Sequence, residues 1–549
     1  WIMDLVAPLI MLGALWGILR RYVVRPARLR GQRSFTALLI LVTVFIHPIT
    51  HLGKIGTQIA AGYAPAGLGM APPPISTALS YLYPAGAALS MWHSLWFWSH
   101  WGFVLFVMII IGYTRYRHVV AAILNDIFVR PLPKGMPCRI NLKDEATFGV
   151  ARIDGFTQKQ LLDLYACVEP GHCQEACPAY FTGKPLNPRS VIQDLRTNLL
   201  TNGPLLVENE APILPLIADG QPGSVSEEVI WECTTCGACM EICPVRIEHV
   251  GHIIDLRRNL VQLQAKFPEE LLNLFENMEQ RSNPWGMAPA ERIKWASDIE
   301  VMPFEAEKTE YLFYVGCAGA FSSRNRHTTQ ALAKIMTAAG VTWGTLGRDE
   351  LCCGDSLRRL GNEYVFDRMA TENVRLFAEK GVKKIITQCP HCFSTLKNDY
   401  RQYGAELEVY HHSQVIRNLI TEGKLKTEKT VDLGNLLFHD SCYLGRHNQI
   451  YEAPRDVVAS ATGKKPGEME RHHNHSFCCG AGGGRMWMEE HLGKHINVAR
   501  IEEAMKKDPQ TICVSCPYCM TMLEDGLKDL NAEDKVRVLD IAEVLHQAL

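Results

Sequence analysis

Cys-Cys-Gly stands at residues 352–354 of this chain and again at residues 478–480, each time inside the same wider pattern. In the two copies, 34 and 35 residues separate a single Cys from the pair, and 35 and 36 residues separate the pair from a Cys-Pro-x-Cys group. Spacings this long do not recur by chance, so the pattern predicts one fold unit that occurs twice. The thiols are Cys317, Cys352, Cys353, Cys389 and Cys392 in the first copy, and Cys442, Cys478, Cys479, Cys516 and Cys519 in the second.

Adjacent thiols favour an iron–sulfur cluster in each copy. Thiolates select zinc or iron–sulfur clusters, but a Cys-Cys pair suits a polynuclear cluster better than one tetrahedral ion. A disulfide framework is disfavoured because the chain has 19 Cys, an odd number, and its Cys-x-x-Cys spacings are those of metal sites. Cys138 and Cys513 lie outside every motif, and Cys513 is expected to be a small buried residue beside the second site.

Short apolar segments deliver several of these thiols. Helical stretches such as Thr328–Ala339 and Asp367–Glu379 alternate with them, which predicts an α/β layer with its sites at the carboxyl ends of parallel strands. The glycine-rich run at 480–484 lacks the spacing of a dinucleotide fingerprint, and we expect it to let backbone approach a bulky cluster. The predicted strands are Glu310–Val315, Lys383–Thr387, Leu436–His439 and Thr511–Val514.

A complete bacterial ferredoxin run precedes the duplicated unit, with its four Cys at 233, 236, 239 and 243. A partner run holds three more Cys at 167, 173 and 177, but Pro170 stands where its second Cys is usual. In two-cluster ferredoxins the fourth Cys of each run ligates the other cluster. This rule assigns a [4Fe-4S] cluster to Cys177, Cys233, Cys236 and Cys239, and leaves the other cluster Cys167, Cys173 and Cys243.

The cluster that lacks a fourth Cys is predicted to be [3Fe-4S], because the side chain of Pro170 carries no donor atom. Two alternatives stay open: Glu169 or His172 supplies an oxygen or nitrogen ligand, or the site is empty. Ser190–Leu199 and Ser224–Glu232 read as helical, as expected for a helical two-cluster domain.

Three apolar segments near the start of the chain predict membrane spans: Leu5–Leu19, Ser34–Gly53 and Ala87–Gly112. Four Trp fit an interfacial belt at one end of the third span, namely Trp92, Trp96, Trp98 and Trp101. The positive-inside rule then places the cluster domains in the cytoplasm. Trp1 opens the chain inside an apparent span, so we expect an N-terminal stretch to be missing. The basic residues are Arg20, Arg21, Arg25, Arg28, Arg30 and Arg33 after the first span, and Arg115 and Arg117 after the third.

Histidines inside these segments are functional candidates, because polar groups within a membrane are costly. His100 and His118 are eighteen residues apart; on one helix they would share a face about 27 Å apart along the axis, which suits two stacked haems. His47, His51 and His93 are further candidates for haem ligation. Quinone binding, or a hydrogen bond to a neighbouring helix, is the alternative role for some of these rings.

The remaining sequence adds organisation rather than chemistry. His472, His473 and His475 fit a solvated loop better than a metal site, and no catalytic residue is assigned. The net charge of −2 gives no support to nucleic-acid binding. We expect a multidomain chain with an all-α transmembrane haem-binding segment at 1–130, an α-helical two-cluster ferredoxin domain at 131–263, a linker at 264–308 and duplicated α/β cysteine-rich (CCG) domains at 309–425 and 426–549.

The doubled pattern resembles the catalytic subunit of heterodisulfide reductases, which carries non-cubane [4Fe-4S] clusters on this motif. The segment from His100 to Asn125 resembles the haem-ligating helix of one branch, itself similar to the nitrate reductase gamma subunit. The sequence departs from that branch at Pro170, and the helix that brings the partner haem ligands is not recognisable; the likeness covers about residues 90–549. Four stretches are similar to membrane-bound electron-transfer-flavoprotein:menaquinone oxidoreductases: CTTCGACMEICPVRIEH (233–249), CCGDSLRRLGNEY (352–364), HDSCYLGRHNQIYEAPR (439–455) and FCCGAGGGRMWMEE (477–490).

This resemblance implies non-cubane [4Fe-4S] clusters in both five-Cys sites and haem b in the membrane segment. It implies that a reduced electron-transferring flavoprotein, loaded by acyl-CoA dehydrogenases of fatty acid β-oxidation, donates electrons that reach menaquinone. It also implies a multi-pass protein of a prokaryotic inner membrane with its cluster domains in the cytoplasm. Two alternatives stay open, a heterodisulfide-reductase-like thiol/disulfide oxidoreductase and an iron–sulfur subunit of a larger respiratory complex.

Overall fold

The computed structural model describes residues 2–26, 35–63, 73–114, 116–144 and 148–549. These residues divide into two compact units, one formed by residues 1–128 with 165–171 and the other by residues 129–164 with 172–549. Trp1 and the basic residues Arg28, Arg30, Arg33 and Arg115 lie outside the described residues.

The first unit is helical. Three of its helices are long and apolar enough to cross a membrane: Ile2–Val24, Phe35–Ala60 and Ala87–Tyr113. They match the three segments predicted from hydropathy, of which Ser34 lies outside the described residues. The first of them is α-helical over Ile2–Leu19 and changes to a π-helical turn over Arg20–Val24. Two shorter helices, Pro74–Ser80 and Arg117–Ile127, complete the unit.

A buried carboxylate links the first long helix to the short helix Pro74–Ser80. Asp4 is 3% exposed, and its two oxygens accept the backbone N–H groups of Ile75, at 2.7 Å, and Ser76, at 2.9 Å. Helix N-termini carry unpaired N–H groups, and Pro73 at the cap position offers no side-chain acceptor. Asp4 therefore supplies the cap that the local sequence lacks.

His100 and His118 do not share one helix, so the predicted spacing of five continuous turns is wrong. The third long helix ends at Tyr113 and Thr114 is extended, whereas His118 belongs to the next helix, Arg117–Ile127. The Thr114 hydroxyl donates to the Ile110 carbonyl at 2.7 Å and accepts the Tyr116 N–H at 3.3 Å. A Thr side chain that bonds to nearby backbone in this way competes with the helical hydrogen-bond pattern and favours a break.

The ferredoxin segment is helical, as predicted. Its longest early helix, Pro188–Val207, begins where the Asn187 side chain accepts the N–H groups of Arg189 and Ser190, and Pro188 occupies the first turn. Predicted helix Ser224–Glu232 is shorter in the structure, at Glu227–Trp231. The helices are Gln158–Ala166, His172–Ala176, Pro178–Phe181, Pro188–Val207, Glu227–Trp231, Ala238–Glu241 and His249–Gln262.

The segment predicted as a linker at 264–308 is folded. It contains the helix Leu271–Arg281, which buries Leu271, Leu274 and Met278, followed by a 3-10 segment at Pro289–Ala296. The apolar residues recur at helical spacing, so one face of Leu271–Arg281 packs against the rest of the second unit.

Two sheets of four parallel strands follow, and they have the same topology. The first is ordered β2-β1-β3-β4 and the second β6-β5-β7-β8. Leu312 pairs with Gly344 and Ile385, and its counterpart Leu437 pairs with Gly467 and Ile512. The strands are β1 Tyr311–Phe313, β2 Trp343–Gly344, β3 Lys384–Thr387, β4 Glu408–His411, β5 Leu436–Phe438, β6 Gly467–Glu468, β7 Thr511–Val514 and β8 Arg537–Asp540.

Helices separate the strands, as the parallel connections require. The predicted duplication of an α/β unit is therefore present in the fold. The helices are Gly316–Phe321, Ser323–Ala338, Asp355–Leu360, Glu363–Glu379, Pro390–Lys397 and His412–Thr421 in the first domain, and Glu452–Thr462, Ile496–Met505, Pro517–Asp529 and Ile541–His546 in the second.

Candidate iron–sulfur sites

Each five-Cys set lies at the carboxyl edge of its own sheet. In the first domain Cys317 follows β1, the Cys pair follows β2 and Cys389 follows β3; the second domain repeats this order on β5, β6 and β7. In a sheet of order β2-β1-β3-β4, the connections that leave the neighbouring strands β1 and β3 run in opposite directions along the sheet. Ligands bind outside the carboxyl ends of the strands at such a switch point. Gly354 and Gly480 follow the pairs with φ of 82° and 103°, which Gly adopts without strain.

The five thiols of the first set converge on one buried place. The Sγ atoms of Cys353 and Cys392 are 3.5 Å apart. Cys352 interacts with Cys317 and Cys353, and Cys389 interacts with Cys392. All five side chains are buried, and burial raises the pKa of Cys317 well above that of an ordinary thiol.

A buried guanidinium contacts this first set, and no sequence pattern points to it. Nη2 of Arg292 donates to Cys317 Sγ at 3.4 Å, while Nη1 is paired with Glu350 at 2.7 Å. The same carboxylate accepts the N–H groups of Val315 and Gly316. Arg292 lies in the segment predicted as a linker, far from any motif, so only the fold reveals that it is placed to offset the negative charge that thiolates of a loaded site would carry.

The second set has the same arrangement of thiols. Cys478 interacts with Cys442 and Cys479, and Cys519 interacts with Cys479 and Cys516. A ring nitrogen of His439 also lies within 4.8 Å of the Sγ atoms of Cys479 and Cys519.

Several buried donors beside the second set have no hydrogen-bond partner among the described residues. They are the hydroxyls of Ser441 and Ser515, which directly precede Cys442 and Cys516, and one terminal nitrogen of Arg446. Buried polar groups are nearly always paired in folded proteins. Sulfide and thiolate acceptors of a polynuclear cluster would pair such donors, so the residues present fit the group that the motif predicts.

Four ferredoxin thiols line a single cavity, and they are the four that the crossed rule assigns to one cluster. Cys177 of the first run faces Cys233, Cys236 and Cys239 of the second run there. Apolar residues such as Val191 and Ile253 form most of the remaining wall, which also includes Thr234 and His249. The geometry fits a cubane held by both runs.

The thiols predicted to hold the other ferredoxin cluster fall in different units. Cys173 and Cys243 belong to the second unit, where Cys173 interacts with Cys239, and Cys243 Sγ accepts the Ile247 N–H at 3.4 Å. Cys167 is buried in the first unit, as is Glu169, which is 3% exposed.

The thiol sets of the second unit form a series. Cys389 of the first five-Cys set interacts with Cys516 of the second. Cys478 of that second set interacts with Cys236 of the ferredoxin cavity. Cys239 of the same cavity interacts with Cys173. Each set is thus a direct neighbour of the next.

Side chains of both Cys-Pro-x-Cys groups fill the contact between the two five-Cys sets. His391 of the first group hydrogen bonds to Cys516, and Tyr518 of the second lies near four thiols of the first set. The His391 ring centroid is 4.8 Å from that of Tyr518 and 4.0 Å from that of Tyr443. Burial would lower the pKa of His391, but Asp355, 2.8 Å away, outweighs it and raises that pKa to about 9.

Two glycines of the run at 480–484 lie against the ferredoxin segment, and the approach of this run to a cluster stays a prediction. A Cβ on Gly482 would lie 2.4 Å from the Thr234 carbonyl oxygen, and one on Gly483 would lie 2.4 Å from that of Cys233. These glycines thus let the second CCG domain approach the backbone of the ferredoxin run. Arg446 adds to this contact by donating to the Cys236 carbonyl at 2.8 Å.

Three of the predicted haem ligands meet in the first unit. His100 is 6% exposed, and its ring centroid is 5.3 Å from that of His47 and 5.6 Å from that of His51. His47 and His51 line a cavity of about 340 Å³ with apolar residues of the long helices. His93 instead contacts Thr57, and His118 lies on the separate helix Arg117–Ile127.

The remaining Cys and His candidates fit structural roles. Cys138 is exposed, and Cys513 is fully buried on β7. Nitrogens of His472 and His473 lie within 4.8 Å of a Glu468 oxygen. Arg455 already pairs with Glu468 at 2.6 Å, so this group forms part of an ion-pair network. His475 lies in the same 3-10 turn as His473.

Comparison with known proteins agrees with this architecture. A cysteine-rich domain matches residues 311–397 and 436–524, and a 4Fe-4S dicluster domain matches residues 163–247. The EtfAB:quinone oxidoreductase of Syntrophomonas wolfei is 37% identical across this whole chain and 82% of its own length. The chain belongs to this family. It is an iron–sulfur oxidoreductase.

More distant family members share the cluster-bearing part. One component of the dihydromethanophenazine:CoB–CoM heterodisulfide reductase from Methanosarcina barkeri is 31% identical over 72% of this chain and 96% of its own length. A probable membrane-anchored ferredoxin from Chromohalobacter salexigens is 35% identical over 74% of this chain and 62% of its own length. With the three apolar helices, the second likeness indicates membrane association.

Removing one thiol of an adjacent pair should cost one cluster. We expect Cys353→Ala or Cys479→Ala to lower the iron content by about one cluster and to leave the ferredoxin EPR signals in place, because each set is self-contained. Cys138→Ser is the matched control, since Cys138 is exposed and outside every set. Unchanged iron and EPR in both Ala variants would contradict the assignment of the five-Cys sets.

Proposed function

We propose that the chain carries electrons from a reduced electron-transferring flavoprotein to menaquinone. The supporting observation is the series of adjoining thiol sets, which runs from the first CCG domain through the second to the ferredoxin cavity and Cys173. The name of the Syntrophomonas wolfei relative gives EtfAB and quinone as its two partners. An electron-transferring flavoprotein is therefore the proposed donor, and we propose that it is the one loaded in fatty acid β-oxidation, as the sequence resemblance implies.

Iron–sulfur clusters, once bound, supply one-electron transfer. The proposed ligands are the two five-Cys sets for non-cubane clusters, and Cys177 with three thiols of the second ferredoxin run for a cubane. Arg292 and Arg446 place positive charge beside these thiols and offset the negative charge of a loaded site. His391, Tyr443 and Tyr518 keep water out of the contact between the two CCG sets, since all three are less than 9% exposed.

The proposed electron acceptor lies in the membrane. We assign haem b ligation to His100 and His118, with His47, His51 and His93 as further candidate ligands. The proximity of His47 and His51 to His100 supports a cofactor among the long helices. The protein is proposed to be multi-pass in a prokaryotic inner membrane, with the cluster domains on the cytoplasmic side, because Arg20, Arg21 and Arg25 cluster at the end of the first span.

A thiol/disulfide reaction is the rival function, and the likeness to the heterodisulfide reductase component of Methanosarcina barkeri favours it. The packing between the two five-Cys sets argues against it, because His391, Tyr443 and Tyr518 occupy the space where a substrate would touch both. A role as the iron–sulfur subunit of a larger respiratory complex predicts stable partner subunits after purification in detergent.

Anaerobic mixing of the complete protein in lipid nanodiscs with a reduced flavoprotein heterodimer tests the proposed function. We expect reoxidation of the flavin to require a menaquinone analogue, and the Cys479→Ala variant to slow it at least tenfold by interrupting the series of thiol sets. Cys138→Ser serves as control. Flavin reoxidation at equal rates in wild type and Cys479→Ala, or turnover with a disulfide instead, would contradict the proposal.

The haem assignment predicts that loss of haem and loss of quinone reduction occur together. His100→Ala or His118→Ala should remove one b-type haem and quinone reduction together, because each ring is proposed as an axial ligand. Reduced-minus-oxidised absorbance of the full-length protein measures the haem. Wild-type protein without haem absorbance on reduction would contradict the assignment.

We also propose a three-iron cluster on Cys167, Cys173 and Cys243, since Pro170 offers no ligand. Glu169 is the nearest alternative fourth ligand in sequence, and it is buried with a φ of 55°. Such a left-handed conformation is unusual for Glu and is found where surrounding structure imposes it. Glu169 is therefore the residue to replace in a test of whether a side chain other than Cys supplies the fourth ligand.

Replacing Pro170 with Cys should restore the missing ligand. We expect oxidised wild-type protein to show the near-isotropic EPR signal of a three-iron cluster, and Pro170→Cys to convert it to a four-iron cluster without that signal. Glu169→Gln should leave the wild-type signal unchanged. Four irons and no such signal in wild type, with iron loss in Glu169→Gln, would instead identify Glu169 as the fourth ligand.

A further inference from the structure

The two CCG domains differ at one position that faces the thiols from the end of the first strand. Three residues before the first Cys of each set stand Tyr314 and His439, directly after β1 and β5. The Tyr314 hydroxyl donates a hydrogen bond to the Leu351 carbonyl at 2.6 Å. His439, by contrast, brings a ring nitrogen within 4.8 Å of the Sγ atoms of Cys479 and Cys519.

A buried arginine decides which tautomer His439 adopts. Nε of Arg500 donates to Nδ1 of His439 at 3.1 Å, and both side chains are at most 1% exposed. A guanidinium has no acceptor, so Nδ1 must present its lone pair. An imidazole with a bare Nδ1 carries its single proton on Nε2.

Arg500 is itself held in place. Its Nη1 pairs with Glu503 at 2.9 Å and donates to the Arg471 carbonyl at 3.1 Å. Arg471 in turn pairs with Glu503 at 2.6 Å. The orientation of the His439 ring therefore rests on a network that does not include any of the five thiols.

We propose that His439 donates an Nε2–H hydrogen bond to the iron–sulfur cluster proposed for the second CCG motif, and thereby makes that cluster easier to reduce. A nitrogen that ligated iron would have to lose its proton, which would then move to Nδ1 and meet the Arg500 donor. His439 is thus a positioning and tuning residue and not a sixth ligand. Hydrogen bonds to cluster sulfur are among the determinants of reduction potential.

The consequence is a built-in difference between two otherwise matched sites. One hydrogen bond in a buried site is worth up to about a factor of ten in an equilibrium constant. We expect the His439 hydrogen bond to make the second cluster easier to reduce by up to this factor. The second set is the one that adjoins Cys236 of the ferredoxin cavity.

An EPR-monitored redox titration of the complete protein tests the proposal with three variants. His439→Phe keeps a flat ring without a donor, and we expect the reduction equilibrium of the second cluster to fall about tenfold, or about 59 mV for one electron. His439→Gln keeps a donor, so we expect the reduction equilibrium of the second cluster to fall by less in this variant. Tyr314→Phe, at the equivalent position of the first domain, should leave the second cluster unchanged.

Spectroscopy of the unaltered protein provides a test that does not depend on folding of a variant. With ¹⁵N-labelled His, we expect a deuterium-exchangeable proton coupled to the second cluster and only weak ¹⁵N coupling. Strong ¹⁵N coupling, or loss of one cluster's iron in both His439 variants, would show ligation and overturn the proposal. So would an unchanged potential in fully loaded His439→Phe. A wild-type protein without iron in the second set would instead contradict the cluster assignment itself.

Discussion

The buried guanidinium of Arg257 connects the three cluster-bearing parts of the second unit. Its nitrogens donate to the carbonyls of Ile230 and Cys233 in the ferredoxin segment, of Arg359 in the first CCG domain and of Gly483 in the second. The side chain is fully buried, and burial lowers its pKa to about 10, so it remains charged near neutral pH. Removing it would leave several buried carbonyls without partners at once, which is costly.

This arrangement explains why the thiol sets adjoin. Arg257 binds the backbone next to Cys233, and Gly483 approaches the same carbonyl because it has no side chain. The second CCG domain can therefore bring Cys478 to Cys236. A one-electron carrier requires close neighbours and dry surroundings, and both follow from this contact.

Duplication supplied two equal scaffolds, and buried charges then made them different. Arg292 reaches the first set from outside the repeated unit, whereas Arg500 acts on the second set from inside it, through His439. The third residue of each Cys-Pro-x-Cys group reaches the thiols of the other domain: His391 contacts the second set, and Tyr518 contacts the first. Each set thus keeps its own five thiols, but each domain also supplies a side chain to the surroundings of the other set.

The sequence by itself determined the thiol sets, the duplicated α/β unit and the apolar helices, because these depend on residue type and local spacing. Even the crossed pairing of Cys177 with the later run followed from the motif. Tertiary structure alone decided what comes from distant segments, namely Arg292 beside Cys317 and the use of Gly482 and Gly483 in domain contact. Such contacts join residues far apart in the chain, and local pattern carries no information about which buried partner completes a charge or a close approach.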